Sequence, residues 1–149
     1  RRQRQMCIRD RHYINKALKI DDSNYFFLKI YSKAHKEMGL LEESCMGYSK
    51  LYYNNNYDIK ICLEWVEVLL KLKDFSKGIE VLNELISKYP NNSKFQYFLA
   101  GFYMMISNND EASFFLKNAY SISPSEIEFF YQVFPSSITN SLVKETLQF

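Results

Sequence analysis

Apolar side chains recur along this chain at helical spacing. Cys62, Trp65, Val66 and Leu69 form one stripe at intervals of three, one and three, and Gly78, Leu82 and Leu85 form the next. Leu28, Tyr31, Ser32 and His35 precede a stripe of Ser44, Tyr48 and Leu51. The pattern returns in Leu99, Ala100 and Tyr103, with Gln96 as its one polar lapse, and then in Ala112, Leu116 and Ala119. Such intervals put the residues of a stripe on one side of an α-helix, so each stripe reads as a buried face. The spacing predicts helices over 9–20, 24–37, 41–54, 58–71, 75–88, 92–105, 109–121, 125–134 and 137–147. It predicts an all-α fold.

The stripes come in pairs, and the pairs repeat. Pro90 and Pro124 stand 34 residues apart, and the segments before them align; stepping back by the same interval reaches Asn56 and then Asp22. A fixed period of this size decides architecture ahead of local propensity. Small residues recur at two places in the period, Ser32 and Ala100 at one and Ser44, Gly78 and Ala112 at the other. They let two antiparallel helices approach where a larger side chain would hold them apart. The turns between helices carry Gly39, Asp74 or Asn108-Asn109-Asp110, which suit tight turns and helix N-caps.

On these residues the chain resembles the tetratricopeptide repeat (TPR) family, and within it the C-terminal part of a bacterial-type array. The resemblance is closest over 59–126, clear over 25–58 and partial over 12–24. It implies a right-handed α-solenoid of antiparallel helix pairs, the TPR superhelix, with a C-terminal capping helix pair. Repeats are expected at 25–58, 59–92 and 93–126, after the second helix of an incomplete repeat at 12–24. Residues 127–149 depart from the pattern and read as a degenerate repeat that caps the stack. There Pro135 should end a helix near Phe134, and Ser136 or Ser137 should cap a last helix carrying Ile138, Leu142, Val143 and Leu147.

Composition narrows the function. A chain of 149 residues fits one domain with a real core, and 17% aromatic content argues against disorder. Three Cys at irregular spacing make no closed disulfide framework, which points to a reducing compartment. No apolar run is long enough to span a membrane and no signal peptide opens the chain, so a cytoplasmic protein is expected. The formal charge of +2 hides a discontinuity. Residues 1–11 hold all five Arg against one Asp, a net of +4, while the remainder holds 14 Lys against 16 acids, a net of −2. The abrupt change in residue usage reads as a non-native or disordered basic extension, such as a cloning scar or translation beyond the authentic gene. A basic arm for nucleic acid is the other reading.

Enzyme signatures are missing. Gly39, Gly47, Gly78 and Gly101 are isolated, so no phosphate-cradling loop exists, and no G-x-S-x-G, H-E-x-x-H or C-x-x-C occurs. The expectation is a non-catalytic chain with no cofactor and no metal. His12 and His35 are 23 residues apart, and His35 falls where the repeat packs an aromatic ring. Cys45 and Cys62 lie on core-forming stretches as small apolar groups, and Trp65 reads as a core aromatic. Asn91-Asn92-Ser93 has the form of a glycosylation triplet but belongs to an ordinary inter-repeat turn.

What the TPR resemblance implies is binding of a protein or peptide in a concave groove lined by the first helix of each repeat. The family's groove positions map here to Phe26, Lys29, Lys33 and Lys36 in the first full repeat. The next supplies Lys60, Leu63, Glu64, Glu67 and Leu70; the third supplies Lys94, Tyr97, Phe98, Gly101, Met104 and Met105; the cap offers Glu128 and Tyr131. The groove is then basic at one end and apolar-aromatic at the other, suited to a segment with acids near the Lys stripe and an apolar anchor near Tyr97 and Met104. In the alternative, the stripe is a solvated face partly neutralised by Glu64 and Glu67. Lys33 and Glu64 stand where Asn is expected in TPR modules that hold a C-terminal carboxylate, so that ligand is not implied. A non-catalytic interaction scaffold is the leading function. A regulatory module of a larger catalytic or signalling protein is the alternative, and an RNA-binding repeat ranks last because Glu64 and Glu67 interrupt the basic stripe. Self-association through an apolar face at Ile14, Ala17 and Leu18 is a further expectation.

Overall fold

The computed structural model describes residues 24–55 and 57–148, which contain eight α-helices, two 3-10 turns and no strand. The expected helix over 9–20, the half-repeat at 12–24 up to residue 23, the basic extension and the face at Ile14, Ala17 and Leu18 lie outside the described residues. The helices are α1 Tyr25–Glu37, α2 Leu41–Tyr53, α3 Ile59–Lys71 and α4 Phe75–Lys88. Then come α5 Ser93–Met105, α6 Asn109–Ile122, α7 Ile127–Val133 and α8 Ser141–Leu147. Through α6 every boundary lies within one residue of the sequence expectation.

The 34-residue period is written into the helix ends. Asn24, Asp58 and Asn92 are N-caps of α1, α3 and α5, each accepting backbone N–H bonds through its side chain. These caps satisfy amides that have no partner inside the helix. Gly39, Lys73 and Ser107, also 34 apart, all adopt left-handed φ values of 76°, 58° and 60° at the ends of α1, α3 and α5. At the first, Leu40 N–H donates to His35 and Gly39 N–H donates to Lys36; at the third, Asn108 and Ser107 donate to Tyr103 and Met104. This paired closure is the Schellman pattern, and it leads the chain from α1 into α2 and from α5 into α6.

The molecule divides into two compact units, one ending at Lys73 and one beginning at Asp74. In the first, α1 packs on α2 and α2 on α3. The α1–α2 contact is close: the Ser44 hydroxyl donates to the Ser32 carbonyl at 2.7 Å, and the Ser32 hydroxyl to the Leu28 carbonyl at 2.7 Å. Leu28, Tyr48, Leu51, Trp65, Val66 and Leu69 fill its core. Trp65 and Cys62 are buried in line with the core roles expected of them, whereas Cys45 is half-buried and its Sγ accepts the Trp65 Nε1–H at 3.3 Å. His35 is fully buried against the Tyr31 ring, centroids 3.9 Å apart.

In the second unit the middle of α5 is enclosed all round, with every residue from Phe95 to Phe102 buried. A helix of that kind needs neighbours on every side. It packs against α4, α6 and α7, while α6 also carries α8. The α5 stripe includes Phe102 where the spacing suggested Tyr103, which is half-buried and stacks on Phe115 of α6. The C-terminal segment corrects the expected 125–134 and 137–147 helices. Each opens with a 3-10 turn, Pro124–Glu126 and Pro135–Thr139, because proline enters the first turn without an N–H to lose. The last helix is capped by Asn140, which accepts from Leu142 N–H at 2.8 Å, rather than by Ser136 or Ser137. Ser137 is buried and its hydroxyl bonds the Phe134 carbonyl, while Ile138 points outward at 55% exposure.

Candidate functional site

The expected Lys stripe lies in the first unit. Between α1 and α3 opens a cleft of about 310 Å³ lined by Lys33, Lys36, Glu37, Glu64 and Lys71. Lys36 Nζ lies 3.0 Å from Glu67 Oε2, and Lys71 Nζ lies 3.5 Å from Glu67 Oε1, so one carboxylate engages two lysines. Glu64 is held differently. It accepts the Tyr48 hydroxyl at 2.7 Å, and Tyr48 is fully buried in α2 behind it. Burial pushes the Tyr48 phenol well above its ordinary pKa, and the hydrogen bond and negative charge of Glu64, with Glu67 and Glu37 beyond, push it further. The phenol is thus the donor, and its hydrogen bond ties the Glu64 side chain to the core.

The remaining expected groove residues of this unit stand outside the cleft wall. Phe26 is 68% exposed, Lys29 and Lys60 are exposed, and Leu63 and Leu70 are half-buried. Lys29 Nζ lies 5.8 Å from the centroid of the Tyr25 ring, at cation–π range. Glu37 and Lys71 line the cleft although the groove mapping passed over them. They share one repeat position with Met105, which the mapping did include, and that equivalence was the available signal.

The apolar-aromatic end falls in the second unit, and there the expectation needs correction. Tyr97 is fully buried; its hydroxyl donates to the Ser123 carbonyl at 3.0 Å and its ring lies 5.6 Å from Phe130. Desolvation by burial raises the Tyr97 pKa well above the ordinary value, with Glu126, Tyr120 and Tyr131 adding to it. Gly101 is buried too, under Phe134, where an added Cβ would come 2.2 Å from the ring. Phe98 is 2% exposed and touches Phe129 and Phe134 in edge-to-face contacts. The seat expected to hold a partner's apolar anchor is filled by the chain's own cap. Lys94 lies over the Phe129 ring at 5.2 Å, Met104 and Tyr131 are half-buried, and Met105 and Glu128 are exposed.

No group of three or more His, Cys, Asp or Glu among the described residues could hold a metal ion. No helix among them is long and apolar enough to cross a membrane. Asn92 of the glycosylation-like triplet caps α5, and Ser93 bonds Glu126.

No protein-family model matches the chain, and no curated protein matches it. Solved structures do. MamA superposes with a TM-score of 0.73 at 18% identity, covering 99% of this chain and 86% of that one. The fold is that of a TPR protein. YrrB, described as a TPR protein with an unusual peptide-binding site, gives a TM-score of 0.70 at 15% identity over 98% of this chain and 77% of that one. A TPR protein from Parabacteroides merdae gives 0.70 at 12% identity, over 98% of this chain and 59% of that one. The expected all-α helical-repeat class of the TPR solenoids is thereby established at the level of fold.

Proposed function

We propose that this TPR chain is a non-catalytic interaction module that binds a peptide segment of a partner protein. The carrying observation is the α1–α3 cleft, whose charged walls are set by Glu67 and by the Tyr48–Glu64 hydrogen bond before any ligand arrives. Preorganised polar walls reduce the ordering cost of binding and favour recognition over non-specific adhesion. Its contacts are Lys33 and Lys36 in the cleft, with Phe26, Lys29, Lys60, Leu63, Glu67 and Leu70 around it. In the second unit, Lys94, Met104 and Tyr131 remain reachable, whereas Tyr97 and Gly101 serve packing. The TPR fold supports the reading, since YrrB, a protein of that fold, is described as having a peptide-binding site.

The test is selection of peptides from a random display library on the purified full chain, followed by titration of enriched peptides against the parent and a Lys29→Glu/Lys33→Glu double variant. Enriched peptides that bind the parent and lose about tenfold or more on the variant support the module. Equal binding by variant and parent removes the Lys stripe from the site, and absence of any enriched peptide sinks the reading.

A further inference from the structure

Three lysines and three carboxylates meet around the α1–α3 cleft: Lys33, Lys36 and Lys71 with Glu37, Glu64 and Glu67. Their formal charges cancel, which differs from the basic groove end read from the sequence. Their availability also differs. Lys36 and Lys71 share Glu67, so three of the six groups engage one another. Lys33 forms no ion pair among the described residues and is exposed; neither do Glu37 and Glu64. Among the described residues the cleft thus offers a ligand one cation and two anions outside any ion pair, Lys33 and Glu37 from α1 and Glu64 from α3. Glu64 is the more firmly set of the two, because Tyr48 anchors it from the core at 2.7 Å.

We infer that this cleft selects a segment carrying both signs of charge, a carboxylate placed at Lys33 and an ammonium or guanidinium placed between Glu37 and Glu64. The inference rests on the peptide-binding reading and names the chemistry of its partner. A run of acidic residues would find Lys33 but would press further anions against a carboxylate that cannot turn away. A run of basic residues would meet Glu37 and Glu64 but be repelled at Lys33. Only the mixed segment leaves no charge opposed to its like. A guanidinium has a further advantage, since its planar donors match a carboxylate held in one orientation.

The experiment compares three synthetic peptide sets built on the sequences enriched by the full chain: all-acidic, all-basic and mixed, with equal length and equal apolar content. Mixed peptides bind the parent about tenfold tighter than either single-sign set. Glu64→Gln, which retains an acceptor for Tyr48, weakens the mixed peptides and improves the all-acidic ones. Lys33→Glu weakens the mixed peptides, and exchanging the peptide's acid for Lys restores them on that variant. Circular dichroism melting of both variants checks that the fold persists. All-acidic peptides that bind the parent as tightly as mixed ones overturn the charge assignment while leaving peptide binding intact. So does a failed rescue on Lys33→Glu. If no peptide of any set binds, the failure belongs to the interaction reading beneath it.

Discussion

Tyr48 shows how a core residue can set the chemistry of a surface. Its ring belongs to the first unit's core, yet its hydroxyl reaches Glu64 in the cleft wall. The helical register places Tyr48 on the buried stripe, but nothing in the spacing says that the ring's polar end meets an acid sixteen residues on. Burial, first, and the adjacent carboxylates, second, raise its pKa above the ordinary 10.0, and burial does the same at Tyr97. Above pH 10 the unfolded chain releases these protons while the folded chain keeps them. The stability held by the neutral phenols is therefore complete below about pH 10 and is lost as the pH climbs toward the raised folded values. Urea unfolding at pH 9, 10 and 11 should show stability falling with pH. In Tyr48→Phe the total fall between pH 9 and 11 should be smaller by about 1.4 kcal/mol, the contribution of one phenol that ionises only in the unfolded chain. An unchanged fall would place Tyr48 outside the linkage. His35 and Gln96 were likewise legible as core positions, but not their cost: His35 Nε2 and Gln96 Oε1 are buried with no hydrogen-bond partner among the described residues.

At the scale of the element, the repeated left-handed turn position carries glycine once and non-glycine twice. Gly39 takes φ 76° freely, while Lys73 and Ser107 hold 58° and 60° against the steric preference of an L side chain. Lys73→Gly and Ser107→Gly should each raise stability by about 0.5–1 kcal/mol, read as an upward shift in the urea midpoint at constant slope. Gly39→Ala should lower it by a similar amount. No atom lies within 4 Å of the added Cβ, so the loss would be purely conformational. Element boundaries were readable because each repeat restates its caps and turn. The C-terminal pair does not restate them in place: Glu126 and Phe134 bring no capping side chain, prolines begin both 3-10 turns, and the side-chain cap falls at Asn140, off the repeat positions. What α7 does there is decided by tertiary contact, as Phe134 lies against Phe98, Phe102 and Phe130 with centroids 6.2, 6.3 and 5.5 Å away. Phe134→Ala should cost about 3–5 kcal/mol and uncover Gly101, measured by chemical denaturation of the full chain. A loss below 1 kcal/mol would mean the cap is not what closes α5.

At the scale of the whole molecule, a repeat keeps its geometry while changing its chemistry. One repeat position reads Lys29, Leu63, Tyr97 and Tyr131, and another reads Lys33, Glu67 and Gly101. The positions were legible from the period. Whether each faces solvent or core was not, because that depends on what the neighbouring helix brings: a carboxylate to Lys36, an aromatic ring to Gly101. The same separation of frame from chemistry applies to net charge. Residues 1–11 supply +4, and the remaining 138 residues sum to −2. Within the first unit the cleft charges cancel, so no continuous basic track for a phosphate backbone exists among its lining residues. The densest positive charge in the sequence is then the five Arg of the first eleven residues, and affinity for polyanions is expected there rather than in the cleft. Deleting residues 1–11 should abolish retention on heparin and salt-sensitive binding to single-stranded RNA, and leave the affinity for enriched peptides within about twofold. Retained RNA binding by the shortened chain would restore the nucleic-acid reading. Lost peptide binding would make the arginine cluster part of the site, and the cleft would then be only one half of what the partner sees.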